Sequence, residues 1–308
     1  MFTEKTSLII PTRNRTKNIQ ALLQQLKSLR LKFLEIIIVD SSDNDQKKLL
    51  KIICKNYNIK LINSYPSTSH QRNLGIKNKR KHSKFTMFLD DDLIFYKNSF
   101  FEMNKFIKNN DNILAYSFNY FSKFNLNFIE RFKVSKISRF FHLYSNKPGI
   151  VMRSGWHTKI VNLKKNTYVE WLPTAAVIFK SKFINNKRFD ESFGQYSYLE
   201  DLDFSLNLKQ NNNDVKFAIV SKAKFLHPNN LNRINFQFGV IEIINRFIIV
   251  NKYNLNKYYF FYISLIKTSV SFLYIFNGNF NYFFKFVGNI FGIIKSVKKI
   301  IINEKKIY

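Results

Sequence analysis

The stretch KFTMFLDDDLIFY, residues 84–96, runs from a short apolar segment into three consecutive acids, Asp90, Asp91 and Asp92, and then becomes apolar again. Adjacent carboxylates repel one another, and a buried carboxylate must be paired or must bind a cation. A solvated Asp-rich turn, which is common after strands, is one interpretation. A site for a divalent cation, which prefers oxygen ligands, is the other.

The first 95 residues alternate between short apolar runs and amphipathic stretches. The runs 7–10, 34–39, 59–64 and 85–89 predict strands, and the stretches 18–29, 45–56 and 70–78 predict helices. This alternation predicts an α/β fold with a doubly wound, mostly parallel sheet. Ligands bind such sheets beyond the carboxyl ends of the strands. The polar clusters 11–14, 40–43 and 90–92 all lie there, which favours a binding site over a chance acidic turn.

Composition and charge limit the classes of function. The 308 residues, of which 45% are hydrophobic, predict one large domain with an appendage, or two domains. The net charge of +30 favours contact with nucleic acid, an anionic membrane or phosphorylated substrates. A single cysteine, Cys54, excludes an intramolecular disulfide and fits a reducing compartment. The first residues lack the apolar core of a signal peptide, so we expect the chain to fold in the cytoplasm.

The second half carries further strands and an acidic cluster. Residues 98–165 show no clean period, whereas 171–179 and 215–220 predict strands. Between them, FDESFGQYSYLEDLDFSLNLKQ, residues 189–210, enters a helix through an acidic cluster. From Pro228 onward there are eleven Lys or Arg against two acids, with long aromatic and Ile-rich runs. We therefore predict one domain over 1–228 and a helical region over 229–308.

Six segments, in this order, resemble the family-2 glycosyltransferases of the GT-A fold. They are IIPTRNR (9–15), IIIVDSSD (36–43), QRNLGI (71–76), FLDDD (88–92), FDESFGQYSYLEDLDFSL (189–206) and AKFLHP (223–228). The resemblance covers about residues 5–228. It implies a nucleotide-sugar half over about 1–95 and an acceptor half over about 96–228. The sequence departs from the family pattern at Ser41 and Ser42, where a Gly usually follows the second-strand Asp, and at WLPTAAVIFK (171–180).

On the donor side, the resemblance implies a nucleotide-diphosphate sugar and a divalent cation, Mg²⁺ or Mn²⁺, held at an Asp-x-Asp motif. Asp92 is the implied principal metal ligand, with Asp90 at the ribose or a metal-bound water, and His227 completing the shell or donating to a phosphate. The implied nucleotide-sugar contacts are Pro11, Thr12, Arg13, Asn14, Asp40, Arg72, Asp90 and Asp91. A lone histidine is more often structural, and most arginines in so basic a chain are solvated, so those alternatives stay open.

On the acceptor side, the resemblance makes Asp201 the general base, with Glu200 beside it. A helix N-terminus favours an ionised carboxylate, although an acidic first turn is also common for stability alone. Trp171 and Tyr198 are candidates for stacking on sugars, or else core residues.

The resemblance implies an inverting, metal-dependent glycosyltransferase that extends a cell-surface polysaccharide by transfer to a glycan or lipid-linked hydroxyl. The alternative is a basic nucleic-acid-binding protein, given the charge and the aromatic content. No zinc-ligand pattern, RNA-recognition aromatic motif or basic heptad supports that alternative, so no specific nucleic acid is expected.

The C-terminal region contains two candidate membrane segments. Residues 258–276 have nearly the length of a transmembrane helix, but Lys267 lies at the centre. In 286–301, one helical arc is apolar and Lys295, Lys298 and Lys299 lie outside it. This predicts a helix in the interface of an anionic membrane, peripheral on the inner face of the plasma membrane, or a stripe packed on the first domain. The arc consists of Phe286, Ile290, Ile293, Ile294, Val297, Ile300 and Ile301.

Overall fold

The computed structural model describes residues 1–122, 135–141, 143–210, 215–228 and 234–304. It divides into two compact units, Met1–Lys123 with Ile160–Pro228, and Phe124–Lys159 with Asn229–Tyr308. The predicted boundary at Pro228 therefore coincides with a unit boundary, but the contiguous domain over 1–228 is not observed. Leu143 and Trp156 are buried against Ile243 and Phe247, and these contacts assign the inserted segment to the C-terminal unit.

The first unit is a mixed sheet flanked by helices. Its strands are β1 (Thr6–Thr12), β2 (Glu35–Asp40), β3 (Lys60–Asn63), β4 (Phe85–Leu89), β5 (Ile94–Phe95), β6 (Ala115–Tyr120), β7 (Thr167–Val169), β8 (Ala176–Lys180) and β9 (Phe217–Leu226). Its helices are α1 (Thr16–Ser28), α2 (Asn44–Asn56), α3 (Thr68–Asn78), α4 (Ser99–Asn109), α6 (Ser181–Ile184) and α7 (Glu200–Gln210). The helix α5 (Lys136–Phe140) belongs to the second unit.

The strand order β3-β2-β1-β4-β8-β6-β9-β5, with β7 paired to β9, places the candidate residues at one edge. Strands β1, β2, β3 and β4 are parallel, and β8 runs antiparallel between β4 and β6, so that β6 and β9 again run with β4. The carboxyl ends of β1, β2, β4 and β9 consequently lie at the same end of the sheet. The four predicted N-terminal strands and three helices are confirmed.

Strand β1 continues through Pro11 to Thr12, two residues beyond the predicted end. Pro11 pairs with Val39 of β2, whereas pairing with β4 stops at Ile9. A proline lacks the amide hydrogen and is tolerated where one neighbouring ladder has already ended. The strand therefore delivers Thr12 to the site edge.

Helix α3 approaches β1 closely because Gly75 faces it. A Cβ at Gly75 would stand 2.3 Å from Ile9 Cγ2, which no ordinary contact allows. The missing side chain lets the helix lie directly on the strand, and Gln71 and Arg72 are thereby held, buried, at the carboxyl edge.

The second unit is helical and rich in aromatic residues, as predicted. Besides α5 it contains α8 (Phe236–Lys252), α9 (Lys257–Leu273) and α10 (Asn281–Glu304). Asn235 and Asn256 cap α8 and α9, accepting hydrogen bonds from the amides of Phe238 and Tyr259 at 2.8 and 2.9 Å. Among the described residues, one helical segment, Lys257–Phe276, is long and apolar enough to cross a membrane.

Candidate active site

The acidic triplet follows β4 and is tied to the end of β1. Thr12 Oγ1 donates to Asp91 Oδ2 at 2.6 Å, and Arg15 Nη1 donates to Asp91 Oδ1 at 2.9 Å and to Asp92 Oδ2 at 3.1 Å. Burial raises the pKa of Asp91 to about 6, although the hydrogen bonds from Thr12 and Arg15 oppose that shift. Asp91 therefore faces the protein and fixes the loop, whereas Asp90 and Asp92 are its two more accessible members.

Arg15 was not among the predicted site residues. The sequence analysis named Arg13, whose side chain is exposed, whereas Arg15 at the start of α1 turns back over the triplet. Both arginines belong to the same short loop motif, and the structure shows Arg15 as a carboxylate partner, a role that the sequence analysis assigned to neither of them. Arg13 as a nucleotide contact stays a prediction.

Asp92 and His227 converge from different strands. His227 Nε2 lies 2.8 Å from Asp92 Oδ1, one side chain following β4 and the other following β9. Burial works to raise the pKa of Asp92, but His227 and Arg15 outweigh it and hold that pKa below the ordinary value. Asp92 is therefore an ionised carboxylate at the pH of the cell.

Two of the three predicted metal ligands, Asp92 and His227, lie close enough to bind one divalent cation. Asp92 Oδ1 and His227 Nε2, whose 2.8 Å separation is that of a hydrogen-bonded ion pair, both belong to side chains that can bind a divalent cation. In the part of the chain that the structure describes, no three His, Cys, Asp or Glu side chains form a metal cluster. The third predicted ligand, Asp90, instead lies 3.3 Å from Arg72 Nη2. A cation here would take its remaining ligands from phosphate and water, as Mg²⁺ commonly does.

Arg72 connects the triplet to the acidic start of α7. Its guanidinium donates to Glu200 Oε1 through Nη1 and to Asp90 Oδ1 through Nη2, and Phe189 lies below it at 5.6 Å. Glu200 also accepts from Thr174 Oγ1 at 3.3 Å. Because Arg72 is 3% exposed and already engaged by two carboxylates, it positions Asp90 and Glu200 in this state of the protein.

Asp201 follows Glu200 at the N-terminus of α7. Burial is the main cause that raises the pKa of Asp201 to about 6 and that of Glu200 to about 7, and the two carboxyls influence each other. Asp201 Oδ1 accepts from the amide of Leu202 at 2.8 Å. Ser197 and Leu199, immediately before the helix, have positive φ angles of 48° and 75°. Such strained residues are typical of functional turns, and here they set the direction from which the helix enters the site.

The end of β2 presents a buried carboxylate oxygen. Asp40 Oδ1 accepts from the amide and the hydroxyl of Ser42, the former at 3.0 Å. Asp40 Oδ2 is buried without a hydrogen-bond partner among the described residues. Ser42, which departs from the family pattern, thus orients one oxygen of Asp40 and leaves the other to accept a hydrogen bond from a ligand.

Asn14 and Gln71 hold the two neighbouring loops in place. The amide of Asn14 donates to Ser42 Oγ at 2.7 Å, and its side chain exchanges hydrogen bonds with Asp43 at 2.7 and 2.8 Å. Gln71 Nε2 donates to the carbonyls of Thr12 and Val39 at 2.8 and 2.7 Å. Gln71 was missed by the sequence analysis, although it stands beside Arg72 in the motif that was singled out.

Asn73 and Glu191 join α3 to the segment before α7. Asn73 Nδ2 donates to Glu191 Oε1 at 2.8 Å and to the carbonyl of Phe189 at 2.9 Å, while Asn73 Oδ1 accepts from the amide of Phe189. Asn73 of the QRN motif therefore binds the FDE segment through Glu191 and the backbone of Phe189.

The two candidate acceptor residues differ in exposure. Trp171 is 7% exposed, which agrees with the core alternative that the sequence left open. Tyr198 is half-buried and its ring lies parallel to that of Tyr196, with centroids 6.5 Å apart.

Comparison with known proteins identifies the family. The model of glycosyl transferase family 2 matches residues 7–166. An uncharacterized glycosyltransferase of Rickettsia conorii is 36% identical over 120 residues, which is 37% of this chain and 19% of that protein. One from Rickettsia bellii is 33% identical over 117 residues, 37% of this chain and 16% of that protein. The matched region thus covers less than a fifth of these relatives.

Solved structures show the same fold. S. aureus TarS 1-349 superposes with a TM-score of 0.50 at 18% identity, covering 84% of this chain and 68% of that one. A mannosyltransferase from Pyrobaculum calidifontis, solved in complex with GDP-Man and Mn²⁺, gives 0.51 at 11% identity, covering 80% and 64%. The fold is thus the predicted GT-A fold, and because the family model matches more than half of the 308 residues, the chain belongs to glycosyl transferase family 2.

Proposed function

We propose that this chain is an inverting glycosyltransferase that moves a sugar from a nucleotide-diphosphate donor to a hydroxyl of a glycan or lipid-linked acceptor. The observation that carries the proposal is Arg72, which joins Asp90 of the triplet to Glu200 at the start of α7. The buried guanidinium of Arg72 thereby links the carboxylates that we assign to the donor side to the carboxylates that we assign to the acceptor side.

Donor recognition is assigned to the edge formed by β1 and β2. The unpartnered Oδ2 of Asp40 would accept the ring N–H of a uracil or thymine, because a carboxylate only accepts. Thr12 and Asn14 line the same edge and hold the loops that meet the diphosphate.

Asp92 and His227 would hold the divalent cation, Mg²⁺ or Mn²⁺, together with the donor phosphates. When bound, the cation supplies Lewis-acid stabilisation of the diphosphate leaving group. Arg15, 3.1 Å from Asp92 Oδ2, adds a fixed positive charge beside the same carboxylate.

Asp201 would act as the general base. It takes the proton of the acceptor hydroxyl as that oxygen bonds to the anomeric carbon and the bond from that carbon to the diphosphate oxygen breaks. Attack opposite the leaving group inverts the configuration. Glu200 already accepts hydrogen bonds from Arg72 and Thr174. We therefore assign it a positioning role and not the role of proton acceptor.

The physiological setting that we propose is cell-surface polysaccharide synthesis, with the protein peripheral on the inner face of the plasma membrane. The net charge of +30 and the basic C-terminal region support contact with an anionic membrane surface, where a lipid-linked acceptor is available.

The test is a mass-spectrometric screen of UDP-, dTDP- and GDP-sugars for consumption, with Mn²⁺ or Mg²⁺ present. We expect one nucleotide class to be consumed by the natural sequence and spared by Asp201→Asn. Equal consumption by both proteins would contradict the assigned base, and no consumption of any donor would contradict the proposed activity.

A further inference from the structure

Helix α10 packs on α8 through its smallest residues. Gly288, Gly292 and Ser296, spaced by four, are buried on one face. A Cβ on Gly288 would stand 2.1 Å from the carbonyl oxygen of Phe236, and one on Gly292 would stand 2.8 Å from Ile243 Cβ. The two helices therefore touch backbone to backbone.

The large apolar residues of α10 point the other way. Phe283, Val287, Ile290, Ile294 and Val297 are between 37% and 47% exposed, and their spacing of four and three places them on one stripe. In a helix that packs in water, the large apolar side chains face the protein and the exposed side is polar. Small residues inside and large apolar residues outside are instead the arrangement of helices that pack within lipid.

Helix α9 and the turn after it also carry exposed apolar residues, although Phe260 and Ile263 of this helix are buried. An apolar stripe of Tyr258, Tyr262, Leu265, Phe272 and Phe276 is exposed by 39% to 88%. Lys267 lies about two and a half turns from Tyr258, on the opposite side of the helix. Its Nζ lies 3.6 Å from the ring centroid of Tyr144 and 4.5 Å from that of Trp156. The charge that counted against insertion in the sequence thus faces the interior of the unit.

The helices that carry the two stripes are in contact. Phe272 of α9 and Phe286 of α10 have ring centroids 5.1 Å apart, and Tyr274 stacks on Tyr282 at 4.5 Å. We call the ten residues of the two stripes the outward face. Lys298 and Lys299 are exposed at its C-terminal end.

We propose that the outward face embeds in the acyl region of one leaflet of a bilayer that contains anionic lipids. The alternative partner, a second copy of the chain, would bring two charges of +30 together, whereas anionic headgroups complement Lys298 and Lys299. This deepens the membrane contact proposed above and names the surface that makes it. It does not depend on donor or acceptor chemistry.

The experiment uses the full chain and a vesicle flotation assay with phosphatidylcholine vesicles, with and without phosphatidylglycerol. The test variant is Val287→Gln/Ile290→Gln/Ile294→Gln. The matched control is Leu49→Gln/Ile52→Gln/Phe101→Gln, which removes three exposed apolar side chains of the first unit. Circular dichroism and the midpoint of thermal unfolding establish that each variant is folded, so that loss of flotation cannot be confused with loss of the fold.

We expect the natural sequence and the control to float with phosphatidylglycerol vesicles and to stay bound in about 1 M NaCl, where the Debye length is about 3 Å. The test variant should lose flotation by about tenfold or more. Release of the natural sequence by salt, no flotation at all, or equal flotation of the test variant would each overturn the proposal. A dimer that the test variant disrupts, without vesicle binding, would assign the face to self-association and also overturn it.

A second measurement reports directly how deeply the outward face enters the bilayer, and it does not depend on the triple variant. Phe276→Trp, at a site 76% exposed, should be quenched by brominated acyl chains, whereas Phe101→Trp, at a site 64% exposed in the first unit, should not. Equal quenching at both positions, or none at Phe276→Trp, would contradict embedding of the outward face.

Discussion

Asp92 Oδ1 and His227 Nε2 lie 2.8 Å apart, although β4 and β9, the strands that deliver them, are not neighbours in the sheet. Because no third His, Cys, Asp or Glu side chain of the described residues joins these two in a metal cluster, the protein alone offers an incomplete coordination shell. The diphosphate of the donor would complete it.

We therefore expect Mn²⁺ and UDP to bind cooperatively. Calorimetric titration should show weak Mn²⁺ binding to the free protein and tighter binding with UDP present. Asp92→Ala should abolish both this coupling and transfer, because it removes the principal carboxylate ligand. Asp45→Ala, an exposed acid on α2, is the control and should behave as the natural sequence. Full turnover in EDTA would exclude the cation.

Asp201→Asn should lower turnover by about 10²-fold or more, because the amide keeps the shape of the side chain but cannot accept the proton. Donor affinity should stay unchanged, which titration with UDP will check. Glu200→Gln should instead destabilise the fold, because it leaves Arg72 without one of its buried partners. If Glu200→Gln is stable and inactive while Asp201→Asn is active, the general base is Glu200 and not Asp201.

The rate should fall as the pH is lowered through about 6. Burial raises the pKa of Asp201 to about 6, and a base works only in its ionised form, above its pKa. The fall in rate on the acidic side reports the titration of Asp201 and Glu200 together. The pH profile of kcat therefore gives an apparent pKa of the pair. The same raised pKa means that the folded state binds the proton more tightly, so this group's contribution to stability decreases from about pH 4 to 6. A rate that is flat through pH 6 would argue against Asp201.

Asp40→Asn should weaken UDP binding by about tenfold or more. The unpartnered Oδ2 would be replaced either by an amide nitrogen, which donates, or by an uncharged carbonyl oxygen. Ser42→Ala should have a smaller effect, since it removes one of the two hydrogen bonds that orient Oδ1. Fluorescence competition with a nucleotide analogue measures both. If Asp40→Asn leaves the affinity for UDP unchanged, the nucleobase does not bind at Asp40.

The sequence predicted the N-terminal half of the fold well because each strand and helix there has a clear period. The edge location of Asp40 and of the triplet followed from the parallel order of the strands. Strand ends were less certain: Pro11 belongs to β1 because pairing with β4 has already stopped, and that is a property of the neighbouring strand.

Other features depend on partners distant in the chain and could not be inferred from local pattern. Nothing in the loop motif distinguishes Arg13 from Arg15, since the choice is made by the direction in which α1 begins. The sequence analysis did not name Gly288 and Gly292, although their spacing of four residues is helical. Which face of α10 turns inward, however, depends on Gly239 of α8, where a Cβ would stand 2.4 Å from the carbonyl oxygen of Lys285.

The second unit is built from two pieces of chain separated by residues 160–228. During synthesis, Trp156 leaves the ribosome well before Ile243 and Phe247, which later cover it. At about 5–20 residues per second, that interval lasts several seconds. The nascent chain must therefore carry an uncovered aromatic segment while the last strand of the first unit is still being made. Early chaperone capture, or expression at reduced temperature, should raise the yield of intact protein.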